Sequence, residues 1–385
     1  MAVRMFKTLL VRYLALTGLL AHLAAVGALV FAPGLVHKLT DKVREISAGK
    51  LAIVMPDAEA APAISWDEAR ASLRKWTPEM AAAIGEGRIL VDGREVGNLK
   101  DAVRQLRDGS LLEIGSGTYK APLVIRANGV RVIGRGHAIF DGAVAEGKAT
   151  FVVKGKNTTI ENIECRNVAV GDGNGACVRL EGSNLTLEHV YFHSSQQGLL
   201  TGRKPGDVSI RHSFLERLGN RGQAHGIYQG GGTLTIDRSY VLGSKSEGHE
   251  VKSRATRTTI SHSVIASLNG RDSRLIDISN GGVVSITDCT LQQGPRSANL
   301  DVIGFALEKG RHKQNSLSVK RNVIILERNG SNQLLRSKAS GMTPDISDNI
   351  IVAPQSTGFE NSNLEYRSRA EAKLPPAPAI PDRPA

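Results

Sequence analysis

The sequence predicts an all-β fold, a right-handed parallel β-helix solenoid closed at its first turn by a short capping helix. A repeat, a strand periodicity and a column of small polar residues predict it. The repeat runs from about residue 130 to 352 with copies about 26 residues apart. Its apolar anchors are Ile160, Leu187, Ile210, Ile236, Ile260, Ile286, Val319 and Ile346, at steps of 27, 23, 26, 24, 26, 33 and 27. A fixed period of this size marks units that bury their apolar sides against neighbouring units. Within each copy, as in Leu185-Thr-Leu-Glu-His-Val190, apolar and polar residues alternate, which is the strand period. A second short apolar run follows each anchor after a Gly-rich turn. Leucine-rich repeats fail on leucine spacing, and propeller blades need about 40–50 residues. A coil whose turns rise roughly 4.8 Å remains. Three residues after successive anchors stand Ser213, Ser239, Ser263, Cys289, Asn322 and Asn349. Stacked small polar groups at one corner would bridge the bent backbone of each turn.

The solenoid is expected over 110–355, with a capping helix over 97–109. Asn98 reads as an N-cap, with Asp101 at the third position and Leu99, Ala102, Val103 and Leu106 on one stripe. Such a helix covers the open end of the core, an edge that would otherwise invite association. Upstream, 65–96 reads as a short helical region: Ser65-Trp-Asp-Glu68 resembles a capping box and Thr77-Pro-Glu79 a second helix start. The chain beyond 356 is Pro-rich and reads as a disordered tail.

The N-terminus bears on the compartment. A basic tail over 1–13 precedes an uncharged stretch from Leu14 to Val36, long enough to cross a bilayer. The basic side stays cytoplasmic, so 37–64 becomes a linker and the solenoid lies outside. The expected location is a bacterial inner membrane, single-pass, with the solenoid in the periplasm. Secretion after signal cleavage is the alternative. Three cysteines are too few for a disulfide framework, and Cys165 and Cys289 read as small buried hydrophobes.

Lys and Arg number 49 against 37 Asp and Glu, for a formal charge of +12. Outside a cytoplasm this charge suits anionic polysaccharide, lipid headgroups or lipopolysaccharide rather than nucleic acid. The chemistry concentrates between Arg221 and Gly282. With Val178, Ile227, Val251, Ile276 and Ile303 inward, Arg179, Tyr228, Lys252 and Asp277 point outward. Glu250 is expected beside Lys252. His225, His249 and Arg274 stand two residues before the inward anchors of consecutive turns. His225, Tyr228, His249, Glu250, Lys252, Arg254, Arg274 and Asp277 form one charged strip spanning about 10 Å of the axis. A salt-bridged ladder that only stabilises the stack is the structural alternative.

The strip's Glu-x-Lys-Ser run, with an Arg one turn later, resembles the β-helix polysaccharide lyases that include chondroitinase B and related alginate lyases. The resemblance implies Lys252 as base, Arg274 as acid or charge partner, and Glu250 as a calcium ligand, with Asp277 a second candidate. The residues after Arg274 depart from the family's basic pair. The Asp-Pro-His-Asp motif of alginate epimerases and the Arg-x-Pro-x-x-Arg motif of pectate lyases are absent.

Breaking a uronate by β-elimination needs a neutralised carboxylate, a base at C5 and an acid at the leaving oxygen. Tyr228, His225 or His249 would serve as acid, and Arg179, Arg254 and Arg271 as substrate-binding cations. C5-epimerisation needs nearly the same set. Hydrolysis, which needs a carboxyl pair, ranks below because Lys252 would hold both Glu250 and Asp277 ionised. A non-catalytic glycan-binding or assembly scaffold in a polysaccharide synthesis or export complex is the remaining alternative. Both tryptophans lie upstream of the repeats, which favours ionic recognition over ring stacking.

Overall fold

The computed structural model describes residues 70–375, apart from 72, 309 and 311. The expected membrane span over 14–36 and the linker lie outside the described residues. Among the described residues no helix is long and apolar enough to cross a membrane.

The repeats form a parallel β-solenoid of about nine turns, each placing strands on three faces. Three long strands, Leu111–Tyr119, Arg131–Asp141 and Lys156–Arg166, bend through the first and second faces. From Ser183–Glu188 onward those faces carry separate strands, such as Asp207–Arg211 and Phe214–Glu216. The third face is one parallel sheet of nine strands from Leu123–Ile125 to Gln333–Ser337.

The predicted register holds. Leu187 pairs with Ile160 below and Ile210 above, and the column continues through Ile236, Ile260, Ile286, Val319 and Ile346. All eight anchors are buried, because a period of two keeps one side of each strand inward. On the third face Leu199, Ile227, Val251, Ile276 and Ile303 stack the same way.

The polar column is a hydrogen-bonded ladder. Ser239 Oγ accepts from the Ser213 amide at 3.1 Å, and Ser263 Oγ from the Ser239 amide at 3.0 Å. Cys289 Sγ, Asn322 Oδ1, Asn349 Oδ1 and finally Asn363 Oδ1 continue it. The ladder residues from Ser213 to Asn349 each follow a left-handed residue at the corner, such as His212 at φ 49°, Arg238 at 48°, His262 at 47° and Asp288 at 56°. Amides at such a corner turn away from the strand ladder, and the side chain from the next turn satisfies them.

The capping helix spans Leu99–Gln105, with Asn98 Oδ1 accepting from the Asp101 amide at 3.0 Å. Leu99, Ala102 and Leu106 join the core of the first turn.

Three expectations are corrected. Thr77 starts no helix: 74–88 runs without one, as a strap along the second face, then a hairpin of Ile89–Val91 and Arg94–Glu95 meets the first turn. Asn162 receives the Glu79 amide, and Trp76 Nε1 donates to the His189 carbonyl. Long-range partners, not local propensity, set this segment's path. Residues 356–375 are ordered as well: Leu364–Tyr366 adds a last strand and Arg369 pairs with Glu327. Cys165 and Cys177 form a disulfide, with Cα atoms 5.9 Å apart. The strand period hid it, since Cys177 lies where the chain turns onto the third face. Closing a loop of this size stabilises by about 3 kcal/mol in the chain-entropy account. Cys289 stays a free buried thiol, pushed by burial up to about 12.

Candidate functional site

The third face carries the site because parallel register stacks chosen residues. Arg179, Leu200, Tyr228, Lys252, Asp277 and Gly304 pair in one outward column. Asp277 is the hub. Its Oδ2 receives Lys252 Nζ at 2.8 Å and Ser279 Oγ at 2.9 Å, while Arg274 approaches Oδ1 at 3.4 Å. Burial opposes its charge, but the His249, Lys252 and Arg274 side chains outweigh this and hold the carboxyl well below the usual range. Arg274 also pairs with Asp301: Nε lies 2.6 Å from Oδ2, and Nη2 donates to Oδ1 at 3.5 Å.

Lys252 makes a second contact, to Glu308 at 2.8 Å. Burial works against its charge, yet the Asp277 and Glu308 carboxylates raise its pKa above the ordinary lysine value. An ammonium held this firmly is no base near neutral pH, so the role implied for Lys252 by the lyase resemblance does not fit its surroundings. The other Glu308 oxygen receives Arg254 at 2.6 Å. Arg254 Nε donates to the Tyr228 phenol oxygen at 2.8 Å, and its guanidinium lies 5.8 Å from the ring centre.

His225 and His249 stack at 4.9 Å in consecutive turns. His225 Nδ1 accepts from the His249 amide at 3.1 Å, and His249 Nδ1 from the Arg274 amide at 3.3 Å. Each neutral ring therefore carries its proton on Nε2. Burial and nearby cations lower His249 to about 4 and His225 well below its ordinary value. Both are N–H donors near neutral pH, with the Nδ1 lone pair already engaged.

The placement of Glu250 is corrected. It is fully buried, and its Oε1 accepts from the Ser244 amide at 2.9 Å, away from Lys252. Its carboxyl faces Asp272, which also receives Ser267 and Ser297 at 2.9 and 2.6 Å. Glu250 and Asp277 do not converge, and Asp277 is already filled by two cations and a hydroxyl, so these residues do not fit the expected calcium. Among the described residues no group of three or more His, Cys, Asp and Glu is arranged for a metal. Arg271 is exposed on a loop, away from the outward column. Arg179 sits two turns before Tyr228, its buried Nε without a hydrogen-bond partner among the described residues.

The buried acid pair predicts a pH effect. Burial pushes Asp272 up to about 6 and Glu250 well above its ordinary value. Unfolded carboxyls titrate near pH 4. The folded pair thus holds a proton that the unfolded chain has released, and its contribution is fullest below about pH 4 and declines as pH rises. Asp272→Asn is expected to flatten this decline. Urea midpoints of both proteins at about pH 4.5 and 7 check it, and an unchanged difference between them would sink the idea.

Glu308 was missed by the sequence reading. Its signal is the 33-residue step from Ile286 to Val319, against 23 to 27 elsewhere. The extra length forms a loop over the strip. Asn280 Nδ2 donates to the Gly310 carbonyl at 2.9 Å, and His312 Nε2 meets the Arg254 carbonyl at 3.1 Å. Insertions in solenoids commonly build the binding face.

Comparison with known proteins adds no relative: no family model matches the chain, and no curated protein does.

Proposed function

We propose that the protein modifies an acidic, uronate-containing polysaccharide at the third face, by β-elimination or C5-epimerisation. The observation that carries this is Glu308, a carboxylate held between Lys252 and Arg254 beside the Tyr228 phenol. A substrate carboxylate displacing Glu308 would meet two cations, which neutralise it and make the C5 proton removable. Tyr228 is then the group placed to exchange that proton, its phenol oxygen oriented by Arg254 Nε. In elimination the Tyr228 oxygen, as phenolate, takes the C5 proton, the C4=C5 double bond forms as the C4–O4 bond breaks, and the Tyr228 phenol returns that proton to the leaving O4. The His225 and His249 Nε2–H groups face developing charge as donors. Arg179 supplies a cation for a neighbouring sugar.

The membrane anchor over 14–36 and a periplasmic solenoid belong to the same proposal. The Cys165–Cys177 bond supports an oxidising compartment. A partner synthesis or export complex fits this placement.

A non-catalytic scaffold is the second reading, favoured by the near-complete pairing of charges in the strip. The two separate when the purified protein meets a panel of uronate polymers. Appearance of the ultraviolet absorbance of unsaturated uronate, or inverted C5 stereochemistry by NMR, supports catalysis. Neither change with any polymer would leave the scaffold.

Glu308→Gln removes the internal competitor. KM for the polymer is expected to fall about tenfold with kcat retained. Steady-state kinetics check this, and a raised KM would show that Glu308 helps bind substrate instead.

A further inference from the structure

The strap and the first corner of the solenoid enclose a cavity of about 360 Å³, of ligand-pocket size. It lies on the corner between the first and second faces and shares no residue with the strip. Arg74, Lys75 and Arg238 line it, with His189, His212 and His262 from the left-handed corner positions. Among the described residues no carboxylate lines it. Glu188 and Asp237 sit behind, holding His212 at 2.6 Å and His262 at 3.1 Å. Arg238 pairs with Asp237, whereas Arg74 and Lys75 make no ion pair among the described residues.

The remaining walls are aromatic. Phe214 and Tyr240, from consecutive turns, stack at 4.5 Å and 10°. Trp76 is packed at 5.4 Å from His189 and 5.5 Å from Tyr191, and is 9% exposed. Rings beside uncommitted cations suit a ligand with an apolar face and a negative charge. A sugar ring bearing a carboxylate has both. Its length matches the turn-to-turn rise of roughly 4.8 Å, so successive sugars would meet successive corner residues.

We propose that this cleft binds a carboxylate-bearing sugar of an acidic polysaccharide and holds the polymer at a second point. The inference stands apart from catalysis at the third face. A chain held at two places gains avidity without new chemistry.

The test titrates the full chain, in a Trp66→Phe background, with hexagalacturonate and with uncharged maltohexaose, following Trp76 fluorescence. Hexagalacturonate is expected to perturb the signal with salt-sensitive affinity, and maltohexaose to leave it unchanged. Arg74→Gln/Lys75→Gln/Arg238→Gln, all at exposed positions, is expected to weaken binding at least about tenfold with unchanged circular dichroism. Tyr228→Phe is expected to leave it intact, so failure at the strip and failure here are distinguishable. Equal binding of maltohexaose, an unaffected triple variant, or full displacement by equimolar inorganic phosphate would overturn the proposal.

Discussion

Asp277→Ala is expected to destabilise the fold by about 3 kcal/mol, near the lower end for breaking a buried ion pair. The reason is arithmetic of charge. Asp277 is 2% exposed and faces Lys252 and Arg274, themselves 9% and 8% exposed. Removing it leaves two buried cations with one partner each, Glu308 and Asp301. Those remaining partners are why the loss stays near the lower end. Ser279 also loses its acceptor at 2.9 Å. Urea unfolding at about pH 7 measures the loss. The pH dependence provides a second readout. A depressed carboxyl contributes stability above the unfolded value, near pH 4, and loses it as pH falls through its folded value. The gap between wild type and Asp277→Ala should therefore narrow in acid. A loss under 1 kcal/mol, roughly that of an exposed pair, would show that the cluster is far better hydrated than its burial implies.

Tyr228→Phe is expected to lower kcat by about a hundredfold or more, the usual contribution of a positioned acid or base. The change removes one oxygen. Tyr228 is partly exposed, and its oxygen receives Arg254 Nε at 2.8 Å. Arg254 keeps Glu308 and Asn280, so the surrounding structure should hold. Turnover of the polymer and thermal midpoint, measured together, give the answer. Lost turnover with an unchanged midpoint supports Tyr228 as the proton-exchanging group. Retained turnover would move that role elsewhere, and an undiminished Arg254→Ala would then remove the carboxylate cradle as well.

The periodic part of the fold was legible because a solenoid writes its geometry into spacing. Ile210 and Ile236 are 26 residues apart and pair directly. Ser213 and Ser239 sit three residues beyond and bond to one another. The site column Tyr228, Lys252 and Asp277 followed from the same rule. What escaped was set at corners and by distant partners. Glu250 turned inward because the chain bends before Val251, where strand alternation no longer holds. Glu308 came from an inserted loop. Trp76 looked remote in sequence, yet it donates to the carbonyl of His189, 113 residues away. The ionisation of Lys252 rests first on Asp277, which the register placed beside it, and then on Glu308, which its own strand could not show.

The strap changes what kind of object the stack is. A solenoid held only by adjacent turns behaves as a one-dimensional chain, in which any end may fray and each interface melts nearly alone. Here the strap and the residues just before it clasp several turns together: Gly87 meets Ser116, Glu79 meets Asn162, Trp76 meets His189 and Arg70 meets Glu216. Leu73 packs in the same cluster as Phe214, Tyr240 and Val264. Opening any of these turns from the N-terminal side first requires lifting the clasp from all of them. The turns from the first to that of Val264 are thereby bound into one cooperative block by the described residues of this segment.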